Sequence, residues 1–153
     1  ETTAFGIPVT TSITSNIVLV TDGTALAAEG CGLFTNASSV SGKIALIRRG
    51  TCPFIQKCTN AVNAGAIAVI MINNAPGIPA AMGGTDTNGD VTIPSVAISK
   101  DNARDFPFKT PENAHAIPFY FYTLRVHYST QIKCQEKLPD CSILPITNSK
   151  NTI

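Results

Sequence analysis

Two short apolar runs on either side of a helical stretch constrain the fold of this chain most strongly. Residues 43–49 read KIALIRR and residues 66–72 read AIAVIMI, and a glycine precedes each run. Apolar runs of this length are typical of strands that are buried on both faces of a sheet. Between the runs, apolar residues recur with helical spacing, and Gly65 is a stop signal. The pattern predicts a strand, a helix and a second, parallel strand, which together form a right-handed βαβ unit.

The corner between the first strand and the helix reads IRRGTCPF, residues 47–54. Thr51 is expected to cap the helix, with Pro53 in its first turn. Arg48 and Arg49 end the strand on opposite faces, so at least one of them is expected near solvent. Together with the free N–H groups of the first helical turn, they could form a modest site for a carboxylate or a peptide carbonyl. The alternative is a solvated strand end whose arginine merely covers the turn.

The rest of the chain contains further strand signals separated by loop. An apolar stretch at 17–20 indicates a strand near the start, and residues 73–90 carry too many Pro, Gly and Asn for regular structure. A short strand is expected at 93–98, followed by a brief helix over 99–106. Alternating apolar and polar residues at 117–134 predict one half-buried strand.

Composition limits the possible partners and compartments. The 153 residues are enough for one domain, and 11 Lys and Arg balance 10 Asp and Glu, so nucleic acid and acidic membrane surfaces are not expected as partners. The longest apolar run, Ala64–Ile72, is too short to span a membrane. The chain opens at Glu1 like a mature secreted protein, and Asn36 begins a glycosylation sequon. We therefore expect an extracellular, secreted or lumenal protein.

The five cysteines predict disulfides better than a metal site, because none of them forms a C-x-x-C pair. One thiol must be left over, and Cys52 and Cys58 are awkward partners if a helix begins between them. The favoured pairing joins Cys31 to Cys52 and Cys134 to Cys141, and it leaves Cys58 free.

Catalytic chemistry finds little support in the sequence. A cysteine nucleophile needs a histidine base, and His115 and His127 are the only histidines. Neither lies in a known signature, and an oxidised Cys52 could not attack a substrate. No G-x-S-x-G elbow is present. We expect no catalytic residue and no cofactor.

One stretch resembles the start of a calcium loop, since Asp86, Asn88 and Asp90 alternate. An EF-hand continues with glycine at its sixth position, but Val91 stands there in this chain. A polar turn is the favoured interpretation, and no metal site is predicted.

Two segments resemble the protease-associated (PA) domain. Residues 42–74 follow its pattern G-K-[IV]-A-L-[IV]-x-R-G-x-C-x-F-x-x-K and then N-A-x-x-A-G-A, and residues 82–106 include its I-P-[SV]-V-x-I-S. The resemblance implies a mixed α/β fold, a "swivelling" open barrel-like sheet with short flanking helices. In secreted members a cysteine before the first of these strands accompanies the one after R-G-x, which supports the pairing of Cys31 with Cys52.

The resemblance also implies a function. PA domains are non-catalytic modules that cover a protease active site or bind peptides and protein partners. By position, the expected peptide or partner contacts of this chain are Arg48, Arg49, Gly50, Cys52 and Phe54, with the loop 75–92 as an adjoining rim. An Arg49→Ala change is expected to weaken a peptide ligand and to leave the melting temperature nearly unchanged.

Two departures from the family pattern stand out. Cys58 occupies a position that is usually aliphatic, and residues 107–153 extend past the usual module. The whole chain, 1–153, is interpreted as a single PA-like domain whose extension completes the sheet or leads to a neighbouring domain.

The favoured function is a secreted, peptide-binding module that is accessory to an extracellular peptidase, and its partner could be a peptidase domain of the same parent chain. The alternatives are an extracellular structural or matrix domain and a small cysteine-dependent enzyme.

Overall fold

Both apolar runs of the sequence form buried parallel strands. Strands β2 (Ile44–Arg48) and β3 (Ala68–Ile72) each have four buried residues out of five. They pair in parallel, and helix α2 (Phe54–Asn63) connects them. Gly65 ends the helical segment with a φ of 76°. The predicted strand, helix and parallel strand are therefore confirmed. The computed structural model describes residues 5–79, 81–101, 123–126, 130–134 and 140–145.

These elements belong to one mixed sheet. The remaining elements are β1 (Ile13–Leu19), a 3-10 helix (Ala27–Glu29), α1 (Ala37–Val40), β4 (Ser95–Ile98), β5 (Thr123–Val126), β6 (Thr130–Cys134) and β7 (Asp140–Pro145). The seven strands follow the order β4-β3-β2-β1-β7-β6-β5. Strands β1 to β4 are parallel to one another, whereas β7, β6 and β5 continue the sheet in antiparallel pairs. The sheet curls until its edge strands β4 and β5 approach each other. The expected mixed α/β fold with an open barrel-like sheet is confirmed.

The curl explains why β2 and β3 are apolar on both faces. One face of the sheet packs against α2, where Ala45, Ile47 and Met71 meet Cys58 and Ala61. The opposite face lies inside the curl, and its members include residues of β2, β3, β4, β6 and β7: Ile44, Leu46, Ile70, Val96, Ile132 and Ile143. A strand between two cores has no solvent face, so its apolar residues do not alternate with polar ones.

The alternating segment at 117–134 was expected to form one strand, and this expectation is wrong. The described part of it forms β5 and β6, which pair antiparallel with Val126 opposite Thr130. Residues that pair directly across two antiparallel strands lie on the same face of the sheet. Val126 and Thr130 are four positions apart in the chain, an even number, so the alternation of the sequence continues unchanged from β5 to β6. Alternation alone therefore could not reveal the break.

Other expectations are met only in part. The strand expected at 93–98 is β4, and β1 lies at 13–19 and contains most of the stretch 17–20. The brief helix expected over 99–106 falls outside the described residues beyond Asp101. Strands β5 to β7 show that part of the extension 107–153 joins the same sheet. Within the described ranges, no helix has the length and apolar character that a membrane crossing requires.

Candidate functional site

Four parallel strands bring their carboxyl ends to one edge of the sheet. Strands β1 to β4 all point the same way, so the segments that follow them are neighbours. We call this region the carboxyl edge and define it as Arg48 with segments 49–53 and 73–79. In open α/β sheets, ligands bind outside the carboxyl ends of the strands. The R-G-x-C-x-F corner predicted from the sequence lies in this region.

Arg48 and Arg49 differ in their freedom at the carboxyl edge. Arg48 is exposed, and its side chain makes no hydrogen bond or ion pair with any part of the chain that the structure describes. Arg49 is half-buried, and its Nη1 donates a hydrogen bond of 2.9 Å to Asn73 Oδ1. Its guanidinium carbon lies 5.4 Å from the centre of the Phe54 ring. At two consecutive positions, the described structure thus leaves the Arg48 guanidinium free and holds that of Arg49 in place.

Asn73 organises the segment after β3. Its side chain is buried, and its Nδ2 donates to the backbone oxygen of Ala75 at 3.1 Å. Its Oδ1 accepts both the Arg49 guanidinium and the backbone N–H of Asn74. The Asn73 side-chain amide therefore joins the ends of β2 and β3, and it positions Arg49.

The disulfide predicted between Cys31 and Cys52 is present, with the two Cα atoms 5.8 Å apart. It closes a loop over a sequence separation of 21 residues. In the chain-entropy account, a bridge of this span stabilises the fold by about 3 kcal/mol. The bridge ties the segment after the 3-10 helix to the corner that carries the two arginines. Cys141 also lies in a disulfide, and its neighbour in the strand register is Cys134, its predicted partner.

A buried lysine lies beneath the Cys31–Cys52 disulfide. Lys57, on α2, is 0 % exposed, and its Nζ donates to the backbone oxygen of Glu29. Burial lowers the pKa of Lys57, while the carboxylates of Glu29 and Asp22 oppose this effect. A buried ammonium group is costly unless hydrogen bonds and opposite charges compensate it. Lys57 has both, and we call Asp22, Glu29, Thr51 and Lys57 the Lys57 cluster.

The two carboxylates of the Lys57 cluster are held by backbone N–H groups. Glu29 Oε2 accepts the Thr51 N–H at 2.8 Å and the Thr51 hydroxyl at 3.0 Å. The hydrogen bond from the Thr51 N–H lowers the pKa of Glu29, whereas burial raises it. The Thr51 hydroxyl and the positive charge of Lys57 lower this pKa further. Burial raises the pKa of Asp22, but hydrogen bonds from Gly32 and Thr24 outweigh it and leave that pKa lowered.

Thr51 was expected to cap α2, and this expectation is wrong. The helix begins at Phe54 with Pro53 as its N-cap residue, and no side chain caps it. The Thr51 hydroxyl and N–H both donate hydrogen bonds to the Glu29 carboxylate instead. A charged acceptor makes a stronger hydrogen bond than a neutral one, so the half-buried Glu29 carboxylate competes well for these donors.

Polar side chains of α2 hold the segment that contains Cys31. Asn60 Nδ2 donates to the backbone oxygens of Gly30 and Gly32, both at 3.0 Å. Gln56 Nε2 donates to the backbone oxygen of Cys31 at 2.7 Å. Segment 30–32 has few backbone partners of its own, and these side chains replace them.

Gly50 leaves room for the Glu29 carboxylate. A Cβ atom on Gly50 would lie 1.9 Å from both Cδ and Oε1 of Glu29. No side chain fits there unless Glu29 moves away from Thr51. The glycine of the corner therefore has a packing role, which does not require it to contact a ligand.

With this geometry described, comparison with known proteins identifies the family. The profile of the PA domain matches residues 10–106. The chain belongs to the PA domain family. The match covers the parallel strands β1 to β4, helix α2 and the whole of the carboxyl edge.

Related PA domains occur within larger proteins. Human "ER degradation-enhancing alpha-mannosidase-like protein 3" is 45% identical over 74 residues, which are 43% of this chain and 8% of that protein. "Leucine aminopeptidase 2" of Trichophyton equinum is 32% identical over 78 residues, or 50% of this chain and 15% of that protein. The matched segments thus span less than a sixth of these curated relatives.

A solved structure shares the fold of this PA domain. A zinc aminopeptidase from Bacillus subtilis covers 94% of the chain with a TM-score of 0.54, and the chain covers 26% of that protein. The sequence identity is 22%, so this similarity concerns the fold alone.

The structure separates the predicted contacts of this PA domain into two groups. Arg48, Arg49 and Phe54 reach the carboxyl edge with side chains that are exposed or half-buried. Gly50 and Cys52 lie in the same corner, but Gly50 accommodates Glu29 and the Cys52 sulfur is bonded to Cys31. The role of all five as ligand contacts stays a prediction.

Sequence reasoning missed Lys57, Asp22 and Glu29. A signal was available, because Lys57 lies three residues after Phe54 and four before Ala61, on the apolar face of α2. A lysine on such a face needs acidic or carbonyl partners. Asp22 and Glu29, on either side of the apolar stretch before Cys31, were the acids available in the sequence.

Cys58 is a free thiol inside the core. It is 0 % exposed, and its sulfur lies 3.5 Å from Ser95 Oγ. Burial raises the pKa of the Cys58 thiol to about 11. Its thiolate form is therefore scarce near neutral pH, and Cys58 packs in the core as a small apolar residue.

Asn36, the sequon residue, is engaged with the backbone at the end of β1. Its Oδ1 accepts the Thr21 N–H at 3.0 Å, and its Nδ2 donates to the Leu19 oxygen at 2.9 Å. The nitrogen that a glycan would occupy thus already takes part in the fold. Glycosylation at Asn36 stays a prediction, and a sugar there would have to share this nitrogen with Leu19.

The segment that resembles a calcium loop forms a hydrogen-bonded turn. The Asp86 carboxylate accepts the backbone N–H groups of Asp90 at 3.0 Å and Val91 at 2.9 Å. These hydrogen bonds lower the pKa of Asp86, that from Val91 having the largest effect. In the part of the chain described, no three metal-ligating side chains are grouped around a common point.

Proposed function

We propose that this PA domain is a non-catalytic module that binds an extended peptide at the carboxyl edge. The observation that carries the proposal is the exposed Arg48 guanidinium, which has no partner among the described residues and directly precedes the fixed Arg49 in the chain. Arginine presents a planar set of donors that suits carboxylates and carbonyl oxygens. A peptide supplies both kinds of acceptor.

Phe54 adds an apolar surface to this site. Its ring is half-buried under the Arg49 guanidinium, and it lies at the first turn of α2. An aromatic ring beside guanidinium donors can contact the side chain of a peptide while the arginines hold its backbone. We propose that Arg48 supplies the main polar contact and that Arg49 and Phe54 shape the site.

A non-catalytic role is supported by the state of the cysteines. Cys52 is bonded to Cys31, and Cys58 is buried with a raised pKa. A cysteine nucleophile has to be accessible and partly ionised. Neither of the two cysteines near the corner meets this requirement.

The proposed location is outside the cytosol, in a secreted or lumenal protein. The Cys31–Cys52 disulfide and the oxidised Cys141 are typical of proteins that fold in an oxidising compartment. Relatives named as aminopeptidases favour a peptidase as the partner, and a neighbouring domain of a longer parent chain would provide one. In that arrangement the module would hold a substrate or cover part of the active site.

An Arg48→Ala variant tests the proposed site. Peptides that bind the wild type are first selected on an array and then measured by calorimetry. We expect Arg48→Ala to weaken binding by about tenfold, because a hydrogen bond between charged groups contributes roughly 1.5–3 kcal/mol. Lys43→Ala is the matched control, since it removes a positive charge just before the opposite end of β2. Equal affinity of the Arg48→Ala variant and the wild type would overturn the site.

Arg49→Ala is a poorer test than the sequence suggested. Its side chain holds Asn73 and lies over Phe54, so its loss costs about 1–2 kcal/mol of folding free energy. The expectation of a nearly unchanged melting temperature is therefore revised. Failure of every array peptide to bind would instead favour a structural or matrix role.

A further inference from the structure

The two sulfurs of the Cys31–Cys52 disulfide have different surroundings. Cys31 Sγ lies 3.6 Å from Lys57 Nζ and 3.7 Å from Thr51 Oγ1. Glu29 Oε2 lies slightly farther away, at 3.9 Å. For Cys52 Sγ, the described residues provide no comparable polar neighbour. Both cysteines are half-buried, so a small reagent can approach the bridge.

We propose that Cys52 is a site of thiol modification by small thiols of the glutathione class, with Cys31 as the leaving group. The external thiolate attacks Cys52 Sγ and forms a new disulfide with it. The bond between the two protein sulfurs breaks, and its electron pair leaves with Cys31 as a thiolate. One disulfide and one thiolate are consumed and one of each is formed, so no further oxidant or reductant is needed. This inference is independent of peptide binding.

The Lys57 ammonium group determines the direction of attack. Thiol exchange is faster when the departing sulfur is the more stable thiolate. The ammonium can donate a hydrogen bond to Cys31 Sγ, and it is fixed nearby by the Glu29 backbone oxygen. A Cys52 thiolate would have no such donor within the described structure.

The charges that face Cys31 include two that oppose this effect. Glu29 lies 3.9 Å away, and Asp22 lies in the same Lys57 cluster. Glu29 already accepts two hydrogen bonds from Thr51, and Asp22 accepts hydrogen bonds from Gly32 and Thr24. Both carboxylates are therefore directed toward other donors, whereas the Lys57 ammonium group lies closer to the sulfur and can donate a hydrogen bond to it. The Thr51 hydroxyl, 3.7 Å away, is a second donor that can turn toward a Cys31 thiolate.

Opening of the bridge is expected to remain local. Segment 30–32 stays attached to α2 through Asn60 and Gln56, and Thr51 stays attached to Glu29. The change falls on Cys52 itself, within the corner that joins Arg49 to Phe54. Modification would therefore add a substituent at the carboxyl edge without unfolding the sheet.

The remaining cysteines provide internal references. Cys58 is fully buried, with a pKa of about 11, and should stay unmodified in the native protein. Cys141 is 2 % exposed, and its disulfide should resist exchange under the same conditions. We therefore expect glutathione to react at the Cys31–Cys52 bridge and not at Cys58 or Cys141.

The experiment exposes the native protein to reduced glutathione near neutral pH. Free thiols are trapped with N-ethylmaleimide at short times, and the peptides are analysed by mass spectrometry. We expect glutathione on Cys52 and maleimide on Cys31, with a preference of at least about tenfold over the reverse. The same protein in denaturant, where Lys57 is no longer close, should give nearly equal amounts. Glutathione on Cys31, or equal distribution in the native protein, would overturn the proposal.

Single-cysteine variants give a second measurement. In Cys52→Ser, the Cys31 thiol should react with iodoacetamide at lower pH than the Cys52 thiol does in Cys31→Ser. Adding Lys57→Met to Cys52→Ser should move the Cys31 profile to higher pH, whereas adding Lys43→Met should not. If these variants fail to fold, the exchange experiment on the wild type still decides the question. Identical profiles for the two thiols in folded variants would contradict the role of Lys57.

Discussion

A Lys57→Met variant is expected to lose about 3 kcal/mol of unfolding free energy, because it removes a buried ammonium group that donates to the Glu29 backbone oxygen and attracts the Glu29 carboxylate. Methionine keeps most of the volume of the lysine side chain, so little of the loss should come from a cavity. The Glu29 backbone oxygen loses its ammonium donor, and the Glu29 carboxylate keeps its charge without the nearby cation.

Urea denaturation measures this effect, with Lys43→Met as the matched control at a less buried lysine. The control should stay within about 0.5 kcal/mol of the wild type. A double variant that adds Glu29→Gln should lose less than the sum of the two single changes, because the two groups interact. If Lys57→Met is as stable as its control, the Lys57 cluster has no structural role.

The second large effect is expected from Gly50→Ala. The added methyl group would overlap with the Glu29 carboxylate, whose atoms lie 1.9 Å from the position of the new Cβ. Glu29 must then leave Thr51, and both of its hydrogen bonds are lost or lengthened. The flexible end of Glu29 can move aside, so the cost comes mainly from its two lost hydrogen bonds, which predict a loss of about 2 kcal/mol of unfolding free energy.

Gly83→Ala is the control for this change, since a Cβ at Gly83 meets no atom within 4 Å. We expect that variant to unfold within about 0.5 kcal/mol of the wild type. Thermal and urea unfolding of the two variants can be compared directly. Equal stability of Gly50→Ala and Gly83→Ala would mean that Glu29 adjusts freely and that the corner glycine is not required for packing.

The central strands could be predicted because their environment leaves a simple pattern. Strands β2 and β3 lie between two cores, and each appears in the sequence as an uninterrupted apolar run. The end of α2 at Gly65 could also be predicted from the local sequence, because glycine readily adopts the positive φ found there. These features depend on a few consecutive residues.

The interior of the corner could not be predicted in the same way. Thr51 has the properties of a helix cap, but a carboxylate 22 residues earlier in the chain takes both of its donors. Packing of the chain brings Lys57 of α2 close to Asp22 and Glu29, which lie after β1. A local sequence pattern cannot predict a contact between residues this far apart in the chain. The pairing of Cys31 with Cys52 was favoured by parity, by helix geometry and by the family resemblance.

The corner therefore combines internally bonded residues with an exposed arginine. Gly50, Lys57 and Asn60 are family motif positions whose contacts are internal. Arg48 is a neighbouring residue whose side chain is exposed and makes no hydrogen bond or ion pair with the described residues. In the proposed function, these motif residues fix the shape of the site and the adjacent Arg48 contacts the peptide.

The most direct test of this account is to map a bound peptide by the amide chemical shifts of the ¹⁵N-labelled protein. On addition of the tightest-binding array peptide, we predict that the largest shift changes fall in residues 48–54 and 73–77. Residues 42 and 43, before the opposite end of β2, should change little. Shift changes concentrated at that opposite end, with residues 48–54 unaffected, would contradict the claim that the carboxyl edge is the binding surface.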